Sequence, residues 1–510
     1  MQKIKISPRL LSKNKNFYLV IAFIIVFGHS LALFSFGATF WVDSIFYVDL
    51  AYHMFLGQGL SNFYSLPMVC LASHFGPMIS LLWGFIYSIF GSISWFIYAI
   101  LQHAFAGISL FYLLMILKNK VNRIALLIAT IILIFHPFYQ SFHNMIMTES
   151  IASSIVILLA ASSLFLVSES KNKIIHLAVF TTAGFMGILV RPQILLFAVA
   201  FLAYLLIVKR RNLLLYMCSV LILVSAYFLF PATRWVLTGQ FYLPNIDCLS
   251  ARSALMSSMG KETRASQVLQ TYDLPKEIDP KLAALEGLSY DQSMVWFTHL
   301  SQQGLKSEEI RKVIRKAGNE IRFNSFKNVS GQIDAALSGT GLLHFSFFYK
   351  PSNVMSEGKT FSEWTDHYML HYRWLSWQSD NDYESVFSDF VQRFTVAGWY
   401  HPQSIEIFNE TVGPNILNKV FLNDPLSLSV FPPDVWVIGW FIGIFFLLIR
   451  REKDIAIILF IPVAVNYFTV LFVGFGNIRY SYIVVPVEII ATVVGSFFLF
   501  KKIRIWLNNQ

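Results

Sequence analysis

The chain has 510 residues, of which 56% are hydrophobic, 16% aromatic and 13% charged. That balance excludes a soluble globular protein and describes one that crosses a bilayer repeatedly. Its net charge of +10 does not imply a nucleic-acid partner. The Lys and Arg are spread over short connections between apolar runs rather than gathered on one face.

In chain order, a basic segment, 1–16, with Lys3, Lys5, Arg9, Lys13 and Lys15 precedes the first apolar run. It has no cleavage site and reads as a retained anchor. The apolar runs are 17–39, 76–92, 94–117, 124–138, 146–167, 174–190, 192–208, 212–231, 435–449, 455–475 and 481–500. Each is near the length of about 20 residues that a helix needs to cross hydrocarbon. The expected fold is therefore an all-α polytopic membrane protein of about 10 to 12 spans.

Cationic residues follow the runs at Lys118 to Arg123, Lys171 to Lys173, Lys209 to Arg211, Arg450 to Lys453 and Lys501 to Arg504. The positive-inside rule places these turns in the cytoplasm, with both termini. Two inward termini need an even number of crossings, so one of the eleven runs is expected to be re-entrant, broken or fused with its neighbour. The region 76–117, with the turn Phe90-Gly-Ser-Ile-Ser94, is the first suspect, and the break at Arg191-Pro192 the second. The organisation that follows is an N-terminal membrane module over 17–231 with an outer loop at 40–75. A large, mainly helical extracytoplasmic domain over 232–434, membrane helices over 435–500 and a cytoplasmic tail over 501–510 complete it.

Three cysteines say little. Cys218 is intramembrane, whereas Cys70 and Cys248 both fall on the outer side, where pairing is an option. No Cys/His metal spacing, Walker loop or dinucleotide Gly-rich loop is present, so no cofactor is indicated, with a metal left as an option.

Between Lys15 and Lys118 there is no Lys or Arg, and the only acids are Asp43 and Asp49, just beyond the first apolar run. A carboxylate held beside a bilayer with no fixed cation near it in sequence is costly and points to function. If 43–56 is an interfacial helix, Asp43, Tyr47 and Leu50 share one face. Asp49 and His53 share another, roughly 120° away. The two acids then do not converge, and Asp43, beside Trp41 at the mouth of the helix, is the better reactive group. Helix capping by Asp43 is the competing reading.

The run Asp43-Ser-Ile-Phe-Tyr47-Val-Asp-Leu-Ala51, closed by Gly57-Gln-Gly59 and followed by His74-Phe-Gly-Pro77, resembles the first outer loop of the GT-C superfamily. Those are integral-membrane glycosyltransferases that use polyprenyl-phosphate-linked sugars, among them the aminoarabinose and protein-mannosyl transferases. The order of further short motifs agrees: His136-Pro137 before Thr148-Glu149, Leu189-Val-Arg191-Pro192, Arg234-Trp-Val-Leu-Thr-Gly239 with Pro244, and Arg479-Tyr480 before Pro486. The resemblance covers the membrane portion, not the large outer segment. Where many relatives carry a second acid after the first, this chain has Ser44, which puts a two-carboxylate metal site in doubt.

The resemblance implies a GT-C helix bundle and an inverting sugar transfer in which Asp43 is the catalytic residue. The donor is a polyprenyl-phosphate sugar and the acceptor a periplasmic envelope glycan or glycolipid, O-antigen lipopolysaccharide being one such. Arg479 with Tyr480, then Arg191 and His74, are the candidates to hold the donor phosphate. Tyr47, Asp49 and His53 support the loop, and Glu149, Trp364, Trp374 and Trp377 are candidate contacts to sugar or acceptor. Each has a plainer role too: Arg479 as an interfacial anchor, Glu149 as a helix N-terminal acid, the tryptophans as the outer domain's own core. Membrane lipid, a donor synthase and a flippase are the expected partners, in a bacterial inner membrane. A lipid-linked glycan polymerase or ligase is the alternative, and a transporter a more distant one, since no inverted repeat is seen.

Overall fold

The computed structural model describes residues 8–36, most of 77–238, 435–473 and 482–508, with single positions such as Tyr47 and Ala51 and a few between 271 and 320. The elements of these regions are helical: α1 (Pro8–Phe36), α2 (Pro77–Phe90), α3 (Ser94–Leu117), α4 (Arg123–Ile134), a 3-10 turn (Phe142–Asn144), α5 (Thr148–Ser168), α6 (Lys173–Val190), α7 (Ile194–Val208), α8 (Leu213–Thr238), α9 (Val435–Ile449), α10 (Lys453–Val473) and α11 (Val485–Asn508). Eleven helices thus fall on the eleven apolar runs. Among the described residues, five stretches suit a membrane crossing by length and composition: Asn16–Phe34, Phe96–Leu117, Thr148–Ser168, Lys173–Val190 and Leu213–Thr233.

The chain's own chemistry sets the ends. Asn122 caps α4 by accepting a hydrogen bond from the Ile124 N–H at 2.8 Å. At the other end α4 stops before His136-Pro137, four residues short of the apolar run, because the residue before a proline is pushed out of helical geometry. Between α2 and α3 the chain turns through Gly91 at φ +58°, a conformation that costs glycine little. Arg191, Pro192 and Gln193 make the turn between α6 and α7, where the Ile194 N–H reaches the Arg191 carbonyl at 2.9 Å. Both suspected breaks are therefore real turns. At 14 residues, α2 is about 21 Å long, well short of a hydrocarbon core of about 30 Å.

Two helices outrun their apolar stretches. α8 continues through Pro231 to Thr238, beyond the expected limit at residue 231. Proline removes one donor and crowds the carbonyl four residues back, yet Thr233 Oγ1 donates to the Leu229 carbonyl at 2.8 Å, beside the break. α11 likewise runs past Lys501 to Asn508.

α5 is the axis of the bundle. Seventeen of its residues are buried, many of them Ser or Ala, and small side chains let α3, α6, α7 and α10 crowd against it. A second close pairing joins α9 to α11. Gly439 and Gly443 are four residues apart on one face, and a Cβ on Gly443 would strike the Ala491 carbonyl. Around these cores the outward residues are large and apolar, for example Leu19, Phe23 and Val26 of α1 and Leu214, Leu221 and Val236 of α8. A surface of that kind belongs in lipid.

The helices from α3 to α8 follow one another through short connections, and the ends of the helices sort into two groups. At one end Lys118 Nζ lies 3.5 Å above the Tyr18 ring, Arg123 stacks on Phe17 and Arg450 sits 4.0 Å above Phe498. There too the Tyr204 O–H donates to Asp454 Oδ1 at 2.6 Å. This basic end matches the turns read as cytoplasmic. The opposite end gathers the C-termini of α1, α4 and α6 and the N-termini of α5, α7 and α11.

A candidate functional site at the end opposite the cations

At 1.5 Å per residue, the 12 residues of α4 rise about 18 Å. The stretch after α4, described at 135, 136, 139, 140, 142–144 and 147, therefore begins inside the bundle rather than at its rim. A helix end at such depth persists only where protein covers it, and Tyr139, Gln140, Phe142, His143 and Asn144 of this stretch are all buried. It brings a dense polar group against α1, α3, α5 and the start of α11.

Two linked networks occupy this end. In the first, His29 Nδ1 of α1 stands 2.9 Å from His103 Nδ1 of α3. His103 Nε2 is 3.0 Å from Asn144 Oδ1, and Asn144 Nδ2 donates to the Gln140 carbonyl at 3.3 Å. The rings of His29, His103 and His143 are mutually 5.2 Å apart. In the second, His143 Nδ1 lies 2.6 Å from Ser150 Oγ. The Tyr482 O–H donates to the Tyr139 carbonyl at 2.7 Å and stands 3.3 Å from His143 Nε2. Tyr482 thus pins the approach to α11 onto the segment before α5, joining parts of the chain more than three hundred residues apart.

Glu149 and Arg191 meet at the same end. Arg191 Nη2 is 3.4 Å from Glu149 Oε1, with side chains 13% and 1% exposed respectively. Glu149 also accepts from Thr148 Oγ1 at 3.2 Å. The position of Glu149 in the first turn of α5 suits an acid, since the helix dipole favours negative charge there. Arg191 terminates α6, and the following proline holds it in the turn. Two candidates from motifs forty residues apart are in this way placed in contact.

Tyr47, from the Asp43 loop, is helical and 3% exposed, and Ala51, one turn further on, is fully buried; both belong to the bundle's hydrophobic core. The loop's tyrosine is thus packed into the membrane bundle. Asp43, Asp49, His53, His74, Arg479, Tyr480, Trp364, Trp374 and Trp377 lie outside the described residues. Among the described residues no group of three or more His, Cys, Asp or Glu is placed to hold a metal ion.

The sequence reading passed over His29, His103, His143, Asn144, Ser150 and Tyr482. One signal was present: His29 and His103 interrupt long apolar runs, and a polar side chain at membrane depth carries a functional expectation by default. Their convergence depends on how far α4 reaches and on the path of the segment after it.

Chemically, this end offers an arginine that can face an anion, a carboxylate that can accept hydroxyl protons, and imidazoles within hydrogen-bond reach of hydroxyls. Comparison of the chain with models of known families and with curated proteins gives no match.

Proposed function

We propose that this protein is an inverting glycosyltransferase of the GT-C kind. It would lie in a bacterial inner membrane with its active site on the periplasmic face. There it would move a sugar from a polyprenyl-phosphate donor to an envelope glycan or glycolipid, such as lipopolysaccharide O-antigen. The observation that carries this reading is the Glu149–Arg191 ion pair. It unites two separated motifs of the family's order at the end of the bundle opposite the cations. Tyr47, four residues after Asp43 in the chain, is buried in that bundle.

The chemistry needs little from the protein, because phosphate is already a good leaving group. Asp43 takes the proton of the acceptor hydroxyl as its oxygen attacks the anomeric carbon. The carbon–oxygen bond to phosphate breaks with inversion, and the bonding pair leaves with the polyprenyl phosphate. Arg479 and Tyr480, with Arg191 and His74, meet the growing negative charge of that phosphate. Tyr47, Asp49 and His53 hold the loop, while Glu149, Trp364, Trp374 and Trp377 contact sugar or acceptor. A donor synthase and a flippase supply the substrate on the outer face.

The test is transfer of labelled sugar from polyprenyl phosphate to isolated envelope glycans by the purified protein. Asp43→Asn, inserted and folded, is expected to lose about 10²- to 10⁴-fold in rate, whereas Asp49→Asn retains most of it. Unchanged transfer by Asp43→Asn removes Asp43 from the role of base. No transfer from any polyprenyl-phosphate sugar by the natural protein removes the reading itself.

A further inference from the structure

Glu488 stands in the first turn of α11 and is fully buried. It shares a face of that helix with Thr492, one turn further on, and Thr492 packs on Gly439 of α9. The carboxyl therefore borders the close α9–α11 contact. Neither of its oxygens has a hydrogen bond of normal geometry. Among the described residues, the polar side chain turned toward them is Tyr467 of α10, through its hydroxyl.

The helices packed on α11, which are α9, α4, α10 and α5, bring this carboxyl no cation. α9 has no ionisable side chain. α4 has Arg123, and α10 has Lys453 and Asp454 besides Tyr467; these three charges sit at the basic end. α5 has Glu149, which is paired with Arg191. Lys501, Lys502 and Arg504 of α11 itself begin about 20 Å further along the helix. The backbone helps little. Pro486 has no N–H, and the N–H groups of Val487 and Glu488 are engaged by the Val484 carbonyl.

An ionised carboxylate has room for about four donors, and here one phenol faces it. The start of a helix favours negative charge, but that effect is smaller than the penalty for burying an unpaired carboxylate at membrane depth. A neutral acid removes the conflict, since it needs no countercharge and a single hydroxyl can complement it.

We infer that Glu488 is a proton-binding site inside the bundle, a neutral carboxylic acid in the folded protein, and that its proton is what lets α11 seat against α9 and α10. The inference does not depend on sugar transfer. Its sign is fixed by linkage. Above about pH 4.3 a free glutamate ionises, so the folded chain then holds one proton more than the unfolded chain, and stability falls as pH rises.

Infrared spectroscopy of the full chain in lipid bilayers at neutral pH tests this directly. The spectrum of the natural protein minus that of Glu488→Gln is expected to show the carbonyl stretch of a neutral carboxylic acid. A carboxylate band in its place overturns the inference. Thermal unfolding of the detergent-solubilised protein gives a second measurement. Near pH 4.3 the natural protein and Glu488→Gln should melt alike. Above it the variant should gain about tenfold in its folded-to-unfolded ratio, relative to the natural protein, for each pH unit up to neutrality. A difference that does not grow with pH overturns the inference. So does a Gln variant that fails to fold, because a neutral isostere can replace a neutral acid but not a required charge.

Discussion

The two ends of the bundle solve the same problem of placing polar groups next to lipid in opposite ways. At the basic end the cations are partly exposed and rest on aromatic rings: Lys118 over Tyr18, Arg123 over Phe17, Arg450 over Phe498. Lys118 feels its surroundings modestly, its ammonium lowered below the usual lysine range by partial burial and by neighbouring Arg123. At the opposite end Glu149 is 1% exposed and paired with Arg191, and the imidazoles are buried and bound to Asn144, Ser150 and one another. Water can solvate the first set in any rotamer. Only fixed protein partners satisfy the second, so geometry matters there and hardly at all at the basic end.

That contrast breaks if removing one partner of the buried pair is cheap. Arg191→Met is expected to destabilise the protein by about 3–5 kcal/mol, because it takes the cation away from a buried carboxylate. Combining it with Glu149→Gln should recover part of the loss. Denaturation of the detergent-solubilised protein measures both, and a single variant that melts like the natural protein would show that water reaches the pair. A smaller change sharpens the picture. Tyr482→Phe deletes the hydrogen bond to the Tyr139 carbonyl and should cost about 0.6–1.7 kcal/mol, the range for such bonds between membrane helices. Lys118→Gln at the basic end should cost least, about 0.5–1 kcal/mol, as an exposed cation–π contact does. If its effect exceeds that of Tyr482→Phe, the distinction between the two ends fails.

Much of the helical frame was legible because its cause is local. Apolar runs of membrane length form helices wherever lipid denies the backbone other hydrogen-bond partners, and the two suspected breaks carry glycine or proline at the turn. Helix limits were less legible where local rules compete, as at Pro231, through which α8 continues. The close α9–α11 contact has a sequence signal in the spacing of Gly439 and Gly443.

The candidate site divides in the same manner. Glu149 and Arg191 stood out singly, as ionisable residues within apolar surroundings, but nothing local pairs them. His29, His103 and His143 are 74 and 40 residues apart in sequence, with no common motif. His29 and His103 meet because α1 packs on α3, and His143 joins them because the 3-10 turn after the short α4 lies against both.

The amino-acid order alone thus determined that this chain belongs in a membrane, where its helices run and which turns carry positive charge. These follow from solvation and backbone geometry over a few consecutive residues. Tertiary structure decided which polar groups are neighbours and which end of the bundle they occupy. Those depend on helix length and packing, quantities that no short stretch of chain contains.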